Sequence, residues 1–541
     1  MSDDIILRGG LVVDGSGETP FQGDVAIQGD RIAAIGEPGT LNGKQVIDVD
    51  GLAVAPGFIN MLSWATESLL VDGRSQSDIR QGVTLEVMGE GTSMGPLSED
   101  MKSKRAFILS NADIQYDITW TTLDEYLVHL QEQGVSCNVA SFVGSSTLRE
   151  YVMGFDARKP TPDELDQMKA LLDNAMREGA MGLSAALIYA PATFADTDEL
   201  IALAKVAAAH DGLYISHIRS EGRAILSALE EFMTIAREAN IRAQIYHLKA
   251  AGMSNWDKMD EVIRRIEEAR AEGLAVTADM YTYPASGTGL DSCLPSWAHE
   301  GGHEALMERL RDPETRERIK AEMIRPAETW ENMYAENSPD NILLAGFKTQ
   351  ELRKYTGMRL SEIIAERGTP ARDTVLDLIV EDDSRIFTIY FSMSEDNLRK
   401  QVVLPWVSFC SDAGSNTTEP PFTSYHAHPR AYGSFARVLG KYTRDEGLLT
   451  LEEAVRKLAA LPADVLKIAD RGRLKAGNYA DIAVFDPAKV QDHATFKQPH
   501  QYATGMVHVF VNGGHVLKDG DHTGALPGRV VRGPGYRGRA S

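Results

Sequence analysis

"LYISHIRSEG" (213–222) and "AQIYHLKAAG" (243–252) share one layout: a short apolar run reaches a histidine and then breaks into a loop containing glycine. The two histidines, His217 and His247, lie 30 residues apart, about one strand–helix unit. Parallel strands linked by crossover helices would set such residues side by side at the same height.

The same alternation extends outward from about Gly57 to Asp412, with short β-branched runs separated by helical patterns of 12 to 18 residues. Strands are expected at 54–62, 83–89, 137–143, 180–186, 212–217, 241–247, 274–280 and 406–412. Eight such units predict an α/β fold, a (β/α)8 TIM-like barrel over 57–465. A ninth candidate, "RIFTIYFSM" (385–393), is assigned to an insertion at about 284–400. Both chain ends, 1–56 and 466–541, read instead as short strands joined by Gly, Asp and Asn turns, and are expected to pair into one small β-sandwich domain.

Composition narrows the function classes. Of 541 residues, 43% are apolar and 25% charged, as in ordinary soluble globular proteins. The formal charge of -23 opposes a phosphate-backbone footprint, so no nucleic-acid partner is expected. The acidic start "MSDDIILRGG" and the lack of a long apolar run point away from a membrane and toward the cytoplasm. Cys137, Cys293 and Cys410 are far apart and show no paired spacing, and are read as buried thiols.

Active sites of such barrels form at the C-terminal ends of the strands. His217 and His247 there suit a metal bound through imidazole nitrogens. The last strand ends "WVSFCSDAGSN", which offers Asp412 as a group that takes a proton from water and returns it to a leaving nitrogen. The second strand ends "VTLEVMGEGTSMG", where Glu90 between two glycines could complete a His-His-carboxylate set. Alternation along the strands would place Arg219 and Lys249 on the face of the histidines, and Tyr281 and Tyr283 on that of Asp279. Fixed cations there suit a substrate carboxylate.

These motifs, together with "GGLVVDGSG", "DVDGLAVAPGFIN", "CSDA", "GNYADIAVFDP" and "QPHQYATGMVHVFVNG", resemble the amidohydrolase superfamily, and within it the N-acyl-D-amino-acid deacylases. The resemblance covers nearly the whole chain. It implies amide hydrolysis dependent on a metal, with His217 and His247 as ligands and Asp412 as catalytic base and acid. It further implies Lys249 and Tyr189 near the substrate, with Tyr281 and Arg219 as weaker correspondences.

The chain departs from the family at one place. Members usually follow Pro-Gly-Phe-Ile with Asp-x-His-x-His, whereas here Asn60, Leu62 and Trp64 fill those positions. Neither Leu nor an indole offers a ligand lone pair comparable to imidazole. The family's strand-two cysteine is replaced by Glu90, an oxygen ligand for a sulfur one. One divalent ion, zinc with manganese or cobalt tolerated, is therefore expected on Glu90, His217 and His247, with Asp412 close enough to ligate or to act as base, and with Trp64 packing into the vacated space ahead of the alternative that it shapes a hydrophobic substrate pocket.

The resulting expectation is hydrolysis of N-acyl-D-amino acids or related small amides bearing a free carboxylate. The rivals are a D-amino-acid dipeptidase, an amidase of peptide-like natural products, and an inactive binding relative. A homo-oligomer is left open.

Overall fold

A computed structural model describes residues 3–109, 115–327 and 329–537. Its centre is a ring of parallel strands: Phe58–Asn60, Val83–Met88, Asn138–Ser141 continued by Val143–Gly144, Gly182–Ala186, Leu213–His217, Arg242–Ile245, Val276–Met280 and Val407–Phe409. Each pairs with the next, with the third strand broken at Phe142. The ring closes where the backbone N–H of Asp412 donates to Leu62 O at 2.9 Å and that of Trp64 to Ala413 O at 3.0 Å. Asn60 ties the same seam from inside. Its amide donates to Ser411 Oγ (2.8 Å) and Asp78 Oδ1 (3.1 Å) and accepts from the Ser411 backbone N–H (2.9 Å).

The intervening helices carry local signals for their ends. In Pro162–Glu178, the Thr161 hydroxyl accepts from the Glu164 N–H, the Glu164 carboxylate returns the bond, and Gly179 closes the helix in the left-handed region. Its inner face buries Met168, Leu172 and Met176 against the barrel.

Both chain ends meet in one nine-stranded sheet. Ala53–Pro56 pairs with Asp3–Val12 on one side and with Ile482–Phe485 on the other. The single strand expected at 54–62 is thus two. Ala53–Pro56 belongs to the terminal sheet and Phe58–Asn60 to the barrel, with Gly57 between them. A side chain at Gly57 would fall 2.2 Å from Thr84 Oγ1, so the chain can turn there only without one. Beyond Pro527 the chain leaves the sheet and lies along the barrel, with Val139 N–H donating to Arg529 O and Val531 N–H to Val139 O.

The segment between the seventh and eighth barrel strands has a core of its own. Ser286–Gly289, Phe387–Tyr390 and Ile342–Gly346 form a three-stranded sheet, which contains the ninth strand candidate. Helices such as Gly302–Arg311 and Ala371–Asp382 cover it, burying Leu306, Leu376 and Ile379. No helix among the described residues is long and apolar enough to cross a membrane.

Replacing Asn60 by Ala removes both of its bonds to Ser411 and leaves the buried Ser411 N–H unpaired, a cost of about 1–3 kcal/mol. Asn60→Ala should therefore lower the thermal midpoint by several degrees, read by circular dichroism; an unchanged midpoint would contradict the seam.

Candidate metal centre and active site

Two glycines aim Glu90 into the barrel mouth. Gly89 and Gly91 hold φ of 100° and 63°, and a Cβ would lie 2.5 Å from Phe142 O at the first and 2.4 Å from Ala186 Cβ at the second. Only glycine fits this turn. His247 lies beyond the end of its strand, at φ 34°, because its N–H is drawn onto Asp279 Oδ1 at 2.7 Å. Gln244 holds the other oxygen of Asp279 at 2.6 Å. Asp412 likewise follows its strand in the left-handed region, at φ 50°.

These turns bring Glu90, His217 and His247 together. The imidazole rings stand 4.5 Å apart, nearly perpendicular. Glu90 Oε1 lies 2.8 Å from His247 Nε2 and 3.3 Å from His217 Nδ1. The opposite ring nitrogens face Glu221, whose oxygens lie 3.0 Å from His247 Nδ1 and 3.4 Å from His217 Nε2. Carboxylates on the far side of imidazole ligands orient the rings and raise their basicity.

The donor set fits a divalent cation. Both nitrogens of the buried His217 lack a hydrogen-bond partner, an arrangement costly for polar atoms unless a further ligand is held there. Among the buried residues of the lining, carboxylates outnumber fixed cations: Glu90, Glu221, Glu331 and Asp412 stand against Lys249 and Arg430. Burial pushes the Glu90 carboxyl up, but the His247 and His217 imidazoles outweigh it and hold the group well below the usual range. Burial and Lys249 push the His247 imidazole down, yet Glu221 and Glu90 bring it up to about 10. A field that draws a proton onto buried imidazole would also draw a metal ion.

Asp412 completes the mouth. Its Oδ1 accepts from Trp64 Nε1 at 3.1 Å and its Oδ2 is ion-paired with Arg430 Nη1 at 2.6 Å. Burial raises its carboxyl above the usual value, against the opposing pull of Arg430 and His247. The same indole N–H donates to Glu90 Oε2, also at 3.1 Å. Trp64 corrects the expectation of packing: it is 39% exposed, lines the cavity and serves as a polar bridge.

A cavity of about 750 Å³ opens above these groups, with Tyr189, Lys249, Tyr281, Arg385 and Arg430 in its wall. Residues 286–289, Glu331 and Arg385 bring the insertion into that wall. The Tyr189 hydroxyl donates to Thr288 Oγ1 at 2.8 Å, and its ring meets His217 edge-on at 5.6 Å. The Lys249 ammonium donates to both Glu221 oxygens, at 2.7 and 2.8 Å, and lies 2.7 Å from His247 Nδ1. Arg430 is buried beside the Tyr281 ring, at 4.6 Å, and its Nε has no hydrogen-bond partner.

Arg219 is the sequence expectation that the structure does not bring to the site. Strand alternation stops at His217, and the guanidinium turns outward onto Glu231 and the carbonyls of Thr193 and Ala195. Glu221, Glu331 and Arg430 were not expected. Glu221 follows His217 by four residues and was legible in "SHIRSEG"; Arg430 in a loop-borne helix and Glu331 in the insertion carried no spacing signal. Arg219→Ala should thus lower stability by about 1–3 kcal/mol through the stranded Glu231 while leaving bound metal per chain unchanged. Loss of metal in that variant, by elemental analysis, would contradict the assignment.

A profile of the Amidohydrolase family matches residues 411–517. The D-aminoacylase of Alcaligenes xylosoxydans xylosoxydans is 34% identical over 98% of this chain and 97% of its own length. A solved D-aminoacylase, described as having a binuclear metal centre with one-metal activation and second-metal attenuation, superposes with a TM-score of 0.81 at 33% identity, over 98% of this chain and 100% of its own. The N-acyl-D-glutamate deacylase of Bordetella bronchiseptica, solved with zinc and a phosphonate mimic of the tetrahedral intermediate, gives a TM-score of 0.81 at 30% identity over the same shares. With this identity sustained across both chains and the barrel and terminal sheet in common, the protein belongs to the D-aminoacylase family of amidohydrolases.

Proposed function

We propose that this protein hydrolyses the amide bond of N-acyl-D-amino acids with one divalent cation, zinc first, held by Glu90, His217 and His247. The observation that carries the reading is the buried triad itself, with its ligand atoms within 4.8 Å of one another and both His217 nitrogens unpartnered. A cation bound there would acidify a water and polarise the amide carbonyl.

The chain's own residues supply the rest. Asp412, held above the ordinary carboxylate range by burial, accepts the proton of the attacking water at a carboxylate oxygen and delivers it to the leaving nitrogen. Arg430 offers an unpartnered buried N–H to the substrate carboxylate, with Tyr281 beside it. Lys249 works chiefly by fixing Glu221 and the His247 ring, and Tyr189 borders the acyl side of the cavity. A cavity of about 750 Å³ suits a small ligand rather than an extended polymer. The stereochemical preference rests on the relatives, which are named for D-amino-acid substrates.

Retention of so many buried ionisable groups in one mouth disfavours an inactive relative. Each costs desolvation energy that packing alone would not demand.

Purified protein should carry about one zinc-class ion per chain and lose it on Glu90→Ala. Asp412→Asn should keep the ion while kcat for N-acyl-D-amino acids falls by about a thousandfold or more. Activity of Asp412→Asn within about tenfold of wild type would remove Asp412 from the proton-transfer role.

A further inference from the structure

We propose that Trp64 is a positioning residue: its one indole N–H clamps Asp412 to Glu90, while Trp64 and Leu62 together offer no ligand to a second cation, so the centre holds a single one even in metal excess. The inference rests on the cation site proposed above, but concerns a side chain that acts through the proposed ligand Glu90 and the proposed base Asp412.

An indole nitrogen is a donor only. Trp64 Nε1 sits 3.1 Å from Glu90 Oε2 and 3.1 Å from Asp412 Oδ1, so its single hydrogen is shared between two carboxylates. Each carboxylate is thereby divided in its duties. Glu90 turns Oε1 to the histidines and leaves Oε2 to the indole. Asp412 has Oδ2 on Arg430 and Oδ1 on the indole, which fixes its plane from both ends. The clamp is itself braced, because the Trp64 backbone N–H donates to Ala413 O at 3.0 Å, next to Asp412.

Two anionic groups this close invite a second cation. Here the indole, which has a hydrogen to donate but no lone pair to give, stands between them. Leu62, two residues earlier on the same strand end, is fully buried and has no lone pair to offer. A neutral donor therefore compensates the pair without adding a full charge.

Three proteins test this: wild type, Trp64→Phe and the double variant Leu62→His/Trp64→His. Each is equilibrated with excess zinc, freed of unbound ion and analysed for zinc per chain; kcat and KM are measured on an N-acetyl-D-amino acid. Wild type should hold one zinc and the double variant two. Trp64→Phe keeps the ring but not the hydrogen bond, and should hold one zinc while kcat drops about tenfold or more and KM moves less than about threefold. A merely structural tryptophan would leave kcat near wild type in Trp64→Phe, and that result overturns the positioning role. Two zinc ions in wild type, or one in the double variant, overturn the exclusion. The zinc counts do not depend on Trp64→Phe folding or on turnover; absence of hydrolysis by wild type would count against the proposed reaction alone.

Discussion

The structure depends on keeping an excess of buried carboxylate near two imidazoles. Glu90, Glu221 and Asp412 are each under 10% exposed, and desolvation alone would drive their protons back on. Lys249 answers Glu221, Arg430 answers Asp412, and the indole of Trp64 spans Asp412 and Glu90. What remains uncompensated is focused between His217 and His247, where the two His217 ring nitrogens have no hydrogen-bond partner. A divalent cation held there, as proposed, would complete the charge balance of the mouth.

Around that demand the scaffold is rigid where the ligands leave it. His217 ends its strand, whereas Glu90, His247 and Asp412 lie two or three positions past strand ends, in backbone conformations held by specific contacts. His247 hangs on Asp279, Asp412 on the carbonyl of Leu62, and Glu90 between two glycines. Asp279 in turn is buried, and its carboxyl is pushed up to about 6 by that burial. The first and eighth strands, joined by Asn60 and Ser411, set the distance across which Trp64 reaches. Asn60 in place of the family's usual aspartate fits the missing histidines at positions 62 and 64: an amide both donates and accepts, and so can stitch the seam without a cation.

Much of this was legible in the sequence. Periodicity located the eight barrel strands, and the repeated strand–His–loop pattern located His217, His247 and, by register, Asp412. Glu90 stood out because it stands at the end of the second strand in the place of the family's cysteine. The absence of ligands at Leu62 and Trp64 was plain, but the role of the indole was not, since a hydrogen bond to residues 26 and 348 positions away leaves no local trace. Arg430 and Glu331 were invisible for the same reason. Arg219 was misplaced because two-residue alternation was extended beyond His217, where the strand had already ended. The strand expected at 54–62 hid its break because a lone glycine in an apolar run carries no length signal.

The most direct test is anomalous diffraction at the zinc edge from crystals grown in excess zinc. The account predicts one peak per chain, enclosed by Glu90, His217 and His247. A second group, His217 with Glu221 and Glu331, also brings ligand atoms within 4.8 Å of one another. A peak there instead, or a second peak beside Trp64, would contradict the account.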